Sequence, residues 1–174
     1  SIYITETLAA VSWSVQHGGQ AFLELGKPNN GGPKMFSVSG HVNNPGNFEV
    51  PLGTPFPELL EMAGGVRGGH RLKAVIPGGS SAPVLPAEIM MDCTMDFDSV
   101  AKAGSMLGSG AVIVMDETTC MVRACHRIAR FYHQESCGQC TPCREGTGWM
   151  FRSLTRIVAG RATLDDVNLL RSVA

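Results

Sequence analysis

The chain has 174 residues, 44% of them hydrophobic, with 14 Lys+Arg against 15 Asp+Glu for a formal net charge of −1. That length suits one medium domain or two small ones at roughly 100–200 residues each, and the balanced charge offers no broad basic surface to a phosphate backbone. The 21 glycines and 10 prolines predict many turns and short elements, against a coiled coil, a long helical rod or collagen. A membrane span needs about 20 mostly apolar residues, and the best uncharged stretch, Ala74–Ala87, is broken by Pro77, Gly78, Gly79, Pro83 and Pro86. The opening SIYITETLAAVSWSV lacks the positive start of a signal peptide, since the first charge is Glu6 and the first basic residue is Lys27.

Residues 5–17 read as a helix, with Thr5 as N-cap, Glu6 in the first turn, Leu8, Val11 and Val15 on one face, and Gly18-Gly19 as stop. The loop GKPNNGGPK, from Gly26 to Lys34, is the clearest candidate domain boundary. From Met35 the period becomes two: MFSVSGHV puts Phe36 and Val38 on one side, with Val42 resuming that face. NNPGN then forms a turn and FEV a second strand. Thr54 as N-cap and Pro55 at the first helical position open a helix over 55–63, which Gly64-Gly65 stop. LKAVIP and GAVIVM are further strands on either side of a loop rich in Pro, Gly and Ser. Strands and a helix within about eighty residues make a small α+β domain.

After Met115 the pattern is helical. Met121, Cys125, Ile128 and Tyr132 form an apolar stripe, and Arg123, Arg127 and Arg130 occupy other faces. A second helix covers 146–159, with Met150, Leu154, Ile157 and Val158 inward and Gly160 just past its end. A third opens at TLDD, where Thr163 and Asp166 resemble a capping box. That helix reaches Ala174 without a cap and the chain opens at Ser1 without an initiator Met, so the sequence reads as a piece of a longer protein.

Six cysteines could pair in a secreted domain, but Cys137, Cys140 and Cys143 fall within seven residues, and a chain this long buries a core without staples. The cluster reads as metal chemistry in a reducing compartment. Three thiolates at C-x-x-C-x-x-C wrap three corners of an iron–sulfur cube and leave the fourth iron to a distant ligand. Gly138 lets the backbone approach the sulfides, Pro142 stiffens the loop, and Arg144 offsets negative charge. A zinc site normally adds a second Cys pair or two His; His126 and His133 precede the cysteines instead of following them. On spacing alone, cluster, zinc site and structural thiols all stay open.

The full segment ESCGQCTPCREG resembles the cluster-binding signature of the NADH-binding flavoprotein subunit of respiratory complex I, a family that includes the mitochondrial 51 kDa protein and its bacterial counterpart. The resemblance extends through ETLAAV, SGHVNNPGNFEVPLGTPF, IPGGSSAPVLP and GSGAVIVMDE, almost the whole chain. It implies that Cys137, Cys140 and Cys143 hold a 4Fe–4S cluster; none of the 31 residues after Cys143 is cysteine, so the fourth ligand is expected beyond Ala174. It divides the chain into 1–34, a helix and linker left from the flavin domain; 35–115, a β-grasp domain (ubiquitin-like, soluble-ligand-binding); and 116–174, the start of the α-helical iron–sulfur bundle.

The same resemblance implies an oxidoreductase that carries electrons from NADH-reduced FMN through the 4Fe–4S cluster towards quinone, this piece alone being inactive. The expected partners are the other subunits of the NADH dehydrogenase module, above all the 24 kDa-type 2Fe–2S subunit and the large iron–sulfur subunit. The expected location is peripheral, on the cytoplasmic side of the bacterial inner membrane or the mitochondrial matrix side. FMN and NAD belong to the full-length protein: the glycine-rich nucleotide loop has no counterpart here, and Tyr3-Ile4-Thr5 stands where the family usually carries two asparagines near the flavin. No catalytic or FMN-binding residue is therefore assigned. Two alternatives remain, a non-catalytic β-grasp docking module and the equivalent diaphorase subunit of an NAD-linked hydrogenase or formate dehydrogenase.

Elsewhere the plain readings stand. Cys120 and Cys125 are expected in the helix core, and GGVRGGHR as a connecting loop, since it lacks the Lys-Ser/Thr of a P-loop. His17, His41 and His70 are surface or capping residues, and Met90, Met91 and Met95 pack adaptably.

Overall fold

A computed structural model describes residues 4–173 of the chain, which form two compact units that divide between Glu117 and Thr118. In the first, the period-two stretch forms β1 (Pro33–Gly40), and the Asn-Asn-Pro turn folds β2 (Gly46–Pro51) back on it, pairing Phe36 with Phe48. Three further strands, β3 (Leu72–Ile76), β4 (Leu85–Pro86) and β5 (Ala111–Asp116), complete a mixed five-stranded sheet in the order β2-β1-β5-β3-β4. β1 runs parallel to β5, and the other pairs are antiparallel. Parallel neighbours need a crossover, and the chain between β1 and β5 supplies it with three short helices, α3 (Phe56–Met62), α4 (Ala87–Met91) and α5 (Phe97–Lys102). Two helices precede the sheet, α1 (Thr5–His17) and α2 (Gly19–Glu24).

Alternation decides which face of β1 is covered. Phe36 and Val38 are buried at 0% and 3% exposure, while Met35, Ser37 and Ser39 face outward. They join Phe56, Leu59 and Leu60 of α3, Met90 of α4, Val100 of α5 and Val112 and Val114 of β5 in one apolar core. Burying each of the larger side chains contributes about 1.5–3 kcal/mol. Val42 resumes the inward face, bridged to Val66 beyond the end of the strand.

Several expectations change in detail. Thr5 is the first helical residue of α1, and its N-cap is Ile4, which makes no side-chain cap bond. Leu8, Val11 and Val15 are 51–79% exposed, so among the described residues nothing covers that stripe. Gly18-Gly19 do not end the helical region, because α2 starts at Gly19. Thr54 does not cap α3 either: its hydroxyl donates to the Pro51 carbonyl (2.8 Å), and Pro55 is the N-cap. The loop over 26–34 is no slack tether, since Lys27 and Asn30 exchange backbone hydrogen bonds at 2.9 Å. The Pro/Gly/Ser-rich loop contains β4, α4 and α5, which are too short for periodicity to reveal. Met90 and Met95 are buried, but Met91 is exposed. The Tyr3 and Ala174 readings lie outside the described residues.

The second unit is helical, with α6 (Met121–Glu135), α7 (Thr147–Val158) and α8 (Leu164–Val173). Gly160, with φ +68°, closes α7, and the Asp166 carboxylate accepts from the Thr163 N–H at 3.0 Å, half of the expected capping box. Arg156 locks that carboxylate through its guanidinium and so ties α7 to α8. Leu154 is buried, with Met150, Ile157 and Val158 half-buried.

Candidate metal centre

The three clustered cysteines sit where α6 hands over to α7. α6 ends at Glu135 because Ser136 turns extended (ψ 129°) and Gly138 enters the left-handed region (φ +72°). The chain becomes helical again in a wide π-type turn, Pro142–Gly146, that runs straight into α7. Cys137 and Cys140 are thus on the loop and Cys143 in the first turn after it. All three thiols are exposed.

Hydrogen bonds hold this loop from within. Ser136 Oγ lies 3.4 Å from Cys143 Sγ and accepts from the Gly138 N–H at 3.3 Å. The Arg144 guanidinium donates to the Gly138 carbonyl at 3.0 Å and pairs with Glu145 at 3.1 Å. Arg144 N–H reaches back to the Cys140 carbonyl (2.9 Å), and Thr147 Oγ donates to that of Cys143 (2.7 Å). The loop is therefore fixed by groups that leave the three sulfurs uncovered. Among the described residues no three His, Cys, Asp or Glu side chains converge closely enough to hold a single metal ion.

Three exposed, soft thiols on one turn suit three corners of an iron–sulfur cube, whose irons are separate centres. They fall short of a closed tetrahedral zinc site. The nearby histidines do not complete one. His126 Nε2 bonds Thr155 Oγ at 3.0 Å and stacks on Phe151, with ring centroids 5.0 Å apart, and His133 stacks on the same ring at 5.9 Å. Both rings pack α6 on α7. Cys120 and Cys125 are exposed, not in the helix core: Cys120 is the N-cap of α6, and Ala129 is the one buried residue of that helix.

Two polar clusters of the first unit escaped the sequence reading. Asp96, 1% exposed, caps α5 by accepting from the Ser99 N–H (2.8 Å), and it also meets Thr94 Oγ (2.6 Å) and Lys27 Nζ (3.1 Å). Burial alone raises its pKa, but the hydrogen bonds from Thr94, Ser99 and Lys27 outweigh that and hold it at about 2. The D-x-x-S spacing of an N-cap was the signal available. Asp116, fully buried at the end of β5, pairs with His41 Nδ1 at 2.8 Å, with the Arg67 guanidinium 3.7 Å away. No local pattern joins residues so distant in sequence. His70 lies 3.6 Å from Glu117, and His17 stacks on Trp13. Arg67–Gly69 is a short turn joining α3 to β3, a connecting loop as expected. The buried Cys93 thiol is pushed up by burial and by the Asp96 charge.

Comparison with known proteins gives these features a context. Residues 123–174 match the family model described as the NADH-ubiquinone oxidoreductase-F iron-sulfur binding region, and residues 35–85 match the SLBB domain. The F subunit of NADH-quinone oxidoreductase in Rickettsia bellii is 51% identical over 170 residues, covering 97% of this chain and 41% of that protein. The Rickettsia massiliae protein of the same name is also 51% identical, with 97% and 40% covered. Among solved structures, the air-oxidized NAD+-reducing NiFe-hydrogenase aligns with TM-score 0.82 and 36% identity, over 94% of this chain and 28% of that one. Its H2-reduced form aligns with TM-score 0.84 and 36% identity, over 97% and 28%. The chain thus spans about two fifths of the length of the curated relatives it matches. Among the described residues no helix is long and apolar enough to cross a membrane. With half its residues shared over nearly its whole length, the chain belongs to the family of NADH-quinone oxidoreductase F subunits.

Proposed function

We propose that this chain is the electron-exit part of an NADH-oxidising flavoprotein subunit, in which Cys137, Cys140 and Cys143 hold a 4Fe–4S cluster. The observation that carries the reading is the presentation of three uncovered thiols on one internally braced turn, inside the segment matched by an iron–sulfur family model. Such a cluster supplies one-electron transfer, accepting and releasing electrons singly. The chain's own contributions are positional and electrostatic. Ser136 Oγ lies beside the Cys143 sulfur and can donate to its thiolate, which disperses negative charge and favours the reduced state. Arg144 braces the Gly138 carbonyl and places a cation beside the thiolates. His126 and His133 clamp α6 to α7, fixing both ends of the turn that carries the sulfurs.

In this reading 35–115 is a β-grasp domain, supported by the β1–β2 hairpin, the parallel β1–β5 pair and the packing of α3 into the sheet core. Residues 1–34 belong with an FMN- and NADH-binding domain, 116–174 open the cluster-bearing bundle, and the fourth cysteine lies outside this chain. The parent works beside a 24 kDa-type 2Fe–2S subunit and a large iron–sulfur subunit, peripherally, on the cytoplasmic or matrix side of the membrane. A second reading, the diaphorase subunit of an NAD-linked hydrogenase, is favoured by the 36% identity to an NAD+-reducing hydrogenase. It uses the same three cysteines.

The test is Cys140→Ser in the full-length protein. The expected result is loss of the cluster's electron paramagnetic resonance signal and slowed electron exit, with hydride transfer from NADH to flavin largely retained. An unchanged cluster signal would falsify the assignment.

A further inference from the structure

The turn that bears the cysteines is flanked by a surface that the electron-transfer reading leaves unused. Arg123, Arg127, Arg130 and Gln134 all lie on α6, and at 100° per residue they fall within about 60° of arc. They make a stripe about 16 Å long at 1.5 Å per residue. All four are exposed. Among the described residues none of the three guanidiniums has a carboxylate within ion-pair distance or a side-chain hydrogen bond, whereas Arg67, Arg71, Arg144 and Arg156 all do. Of the seven other arginines these four are paired; Arg152, Arg161 and Arg171 stand singly outside α6, so among the described residues α6 alone gathers three such guanidiniums on one face. Like charges at i,i+4 and i,i+3 destabilise a helix, so α6 forms in spite of this stripe.

A second feature lies along it. Phe131, 53% exposed, borders the stripe, and a shallow cleft of about 340 Å³ opens between Arg127, Arg130, Phe131 and Gln134. Arginine and exposed aromatic side chains are the residues that concentrate binding energy in protein interfaces. A guanidinium is a planar fork shaped for a carboxylate. Three cations and one ring are too few for a membrane surface, where clusters of about 4–8 basic residues are usual. Charge complementarity and the size of the cleft therefore favour a carboxylate-bearing protein segment.

We infer that the Arg123–Arg127–Arg130 face of α6, with Phe131, docks an acidic segment of a neighbouring polypeptide, one carboxylate entering the cleft between Arg127 and Arg130. This rests on the proposed role in a multi-subunit electron-transfer machine, and it adds which face meets the neighbour and by what chemistry. Since α6 leads directly into Cys137, such docking fixes the cysteine turn against the protein that receives its electrons.

The experiment uses the full-length protein assembled with its neighbours, carrying Arg127→Lys or Arg130→Lys. A water-soluble carbodiimide joins a lysine amine to a carboxylate in contact with it and leaves arginine untouched. The expected result is a new amide, found by mass spectrometry, between position 127 or 130 and an Asp or Glu of another polypeptide, absent from the unsubstituted complex. The double reversal Arg127→Glu/Arg130→Glu should lower retention of the neighbour at least tenfold at about 150 mM salt, where exposed charges still act over roughly 8 Å, with the helical circular dichroism of the free protein unchanged. No cross-link at either position in an intact complex overturns the surface, as does full retention by the reversed variant. Binding of the unsubstituted protein to vesicles rich in anionic lipid, lost on reversal while the complex stays whole, overturns the protein partner in favour of a membrane. Failure of the protein to assemble with any neighbour would instead remove the proposed function beneath it.

Discussion

Lys27 and Asp96 are 69 positions apart in sequence and 3.1 Å apart in the fold. The Lys27 stem lies along Gly53, where an added Cβ would collide with it, so the ammonium is delivered to a nearly inaccessible carboxylate. Lys27→Met keeps the stem and removes the charge. It is expected to destabilise the first unit by about 1–3 kcal/mol, the cost of leaving a buried polar partner under-satisfied, as read by urea unfolding at pH 7. The pH dependence has a definite sign. Asp96 is held at about 2, below its unfolded value near 3.9, so its contribution is complete above about pH 4 and is lost as pH falls through 2. Unsubstituted protein should therefore lose stability over that window, and Asp96→Asn should flatten this part of the profile. A profile unchanged by Asp96→Asn would contradict the assignment.

At the scale of elements, packing of backbone against backbone decides where side chains are tolerated. Gly78, just after β3, leaves no room for a Cβ, which would sit on the Met106 and Leu107 carbonyl groups. Gly78→Ala must push these segments apart, and a loss of about 1–3 kcal/mol is expected, measured by thermal unfolding. Phe36→Ala, at the centre of β1 and 0% exposed, is expected to cost about 3–5 kcal/mol. The alternation around Phe36 and Val38, the helix after Pro55 and the α6–turn–α7 order were legible in the sequence, because each is carried by a run long enough to show its period. β4, α4 and α5 were not, being two to six residues long. The caps at Thr5 and Thr54 misled for different reasons: Thr5 already lies inside α1, and Thr54 gives its hydroxyl to the Pro51 carbonyl. Cys137, Cys140 and Cys143 were readable since their spacing is local. The Asp116–His41 pair needed the parallel β1–β5 register to bring it together.

Across the whole molecule, the two units differ in how they are held. The first has a continuous core from Phe36 to Val114 that includes none of the three clustered thiols. The second buries Ala129 and Leu154 as its hydrophobic residues, and Val122, Phe131, Trp149, Leu164, Val167 and Leu169 are exposed. Its amides are expected to exchange with solvent faster than those of β1 and β5 in native-state hydrogen exchange, since local stability follows buried apolar contacts. Cluster lability follows from the same sparse burial, as enclosure and ligand count both govern how well a cluster survives. The 174-residue chain purified in air should be colourless or weakly coloured, with its sheet unit still folded.

The central claim, that Cys137, Cys140 and Cys143 together hold the iron–sulfur group, is tested most directly by iron and sulfide content after anaerobic reconstitution of this chain. Single Cys→Ser substitutions at 137, 140 and 143 are compared there with the same change at 120 and 125. Bound iron and sulfide should fall to background for each of the first three, remain for Cys120→Ser and Cys125→Ser, and leave the melting of the sheet unit unmoved throughout. Loss at position 120 or 125, or equal retention in all five variants, would contradict the account.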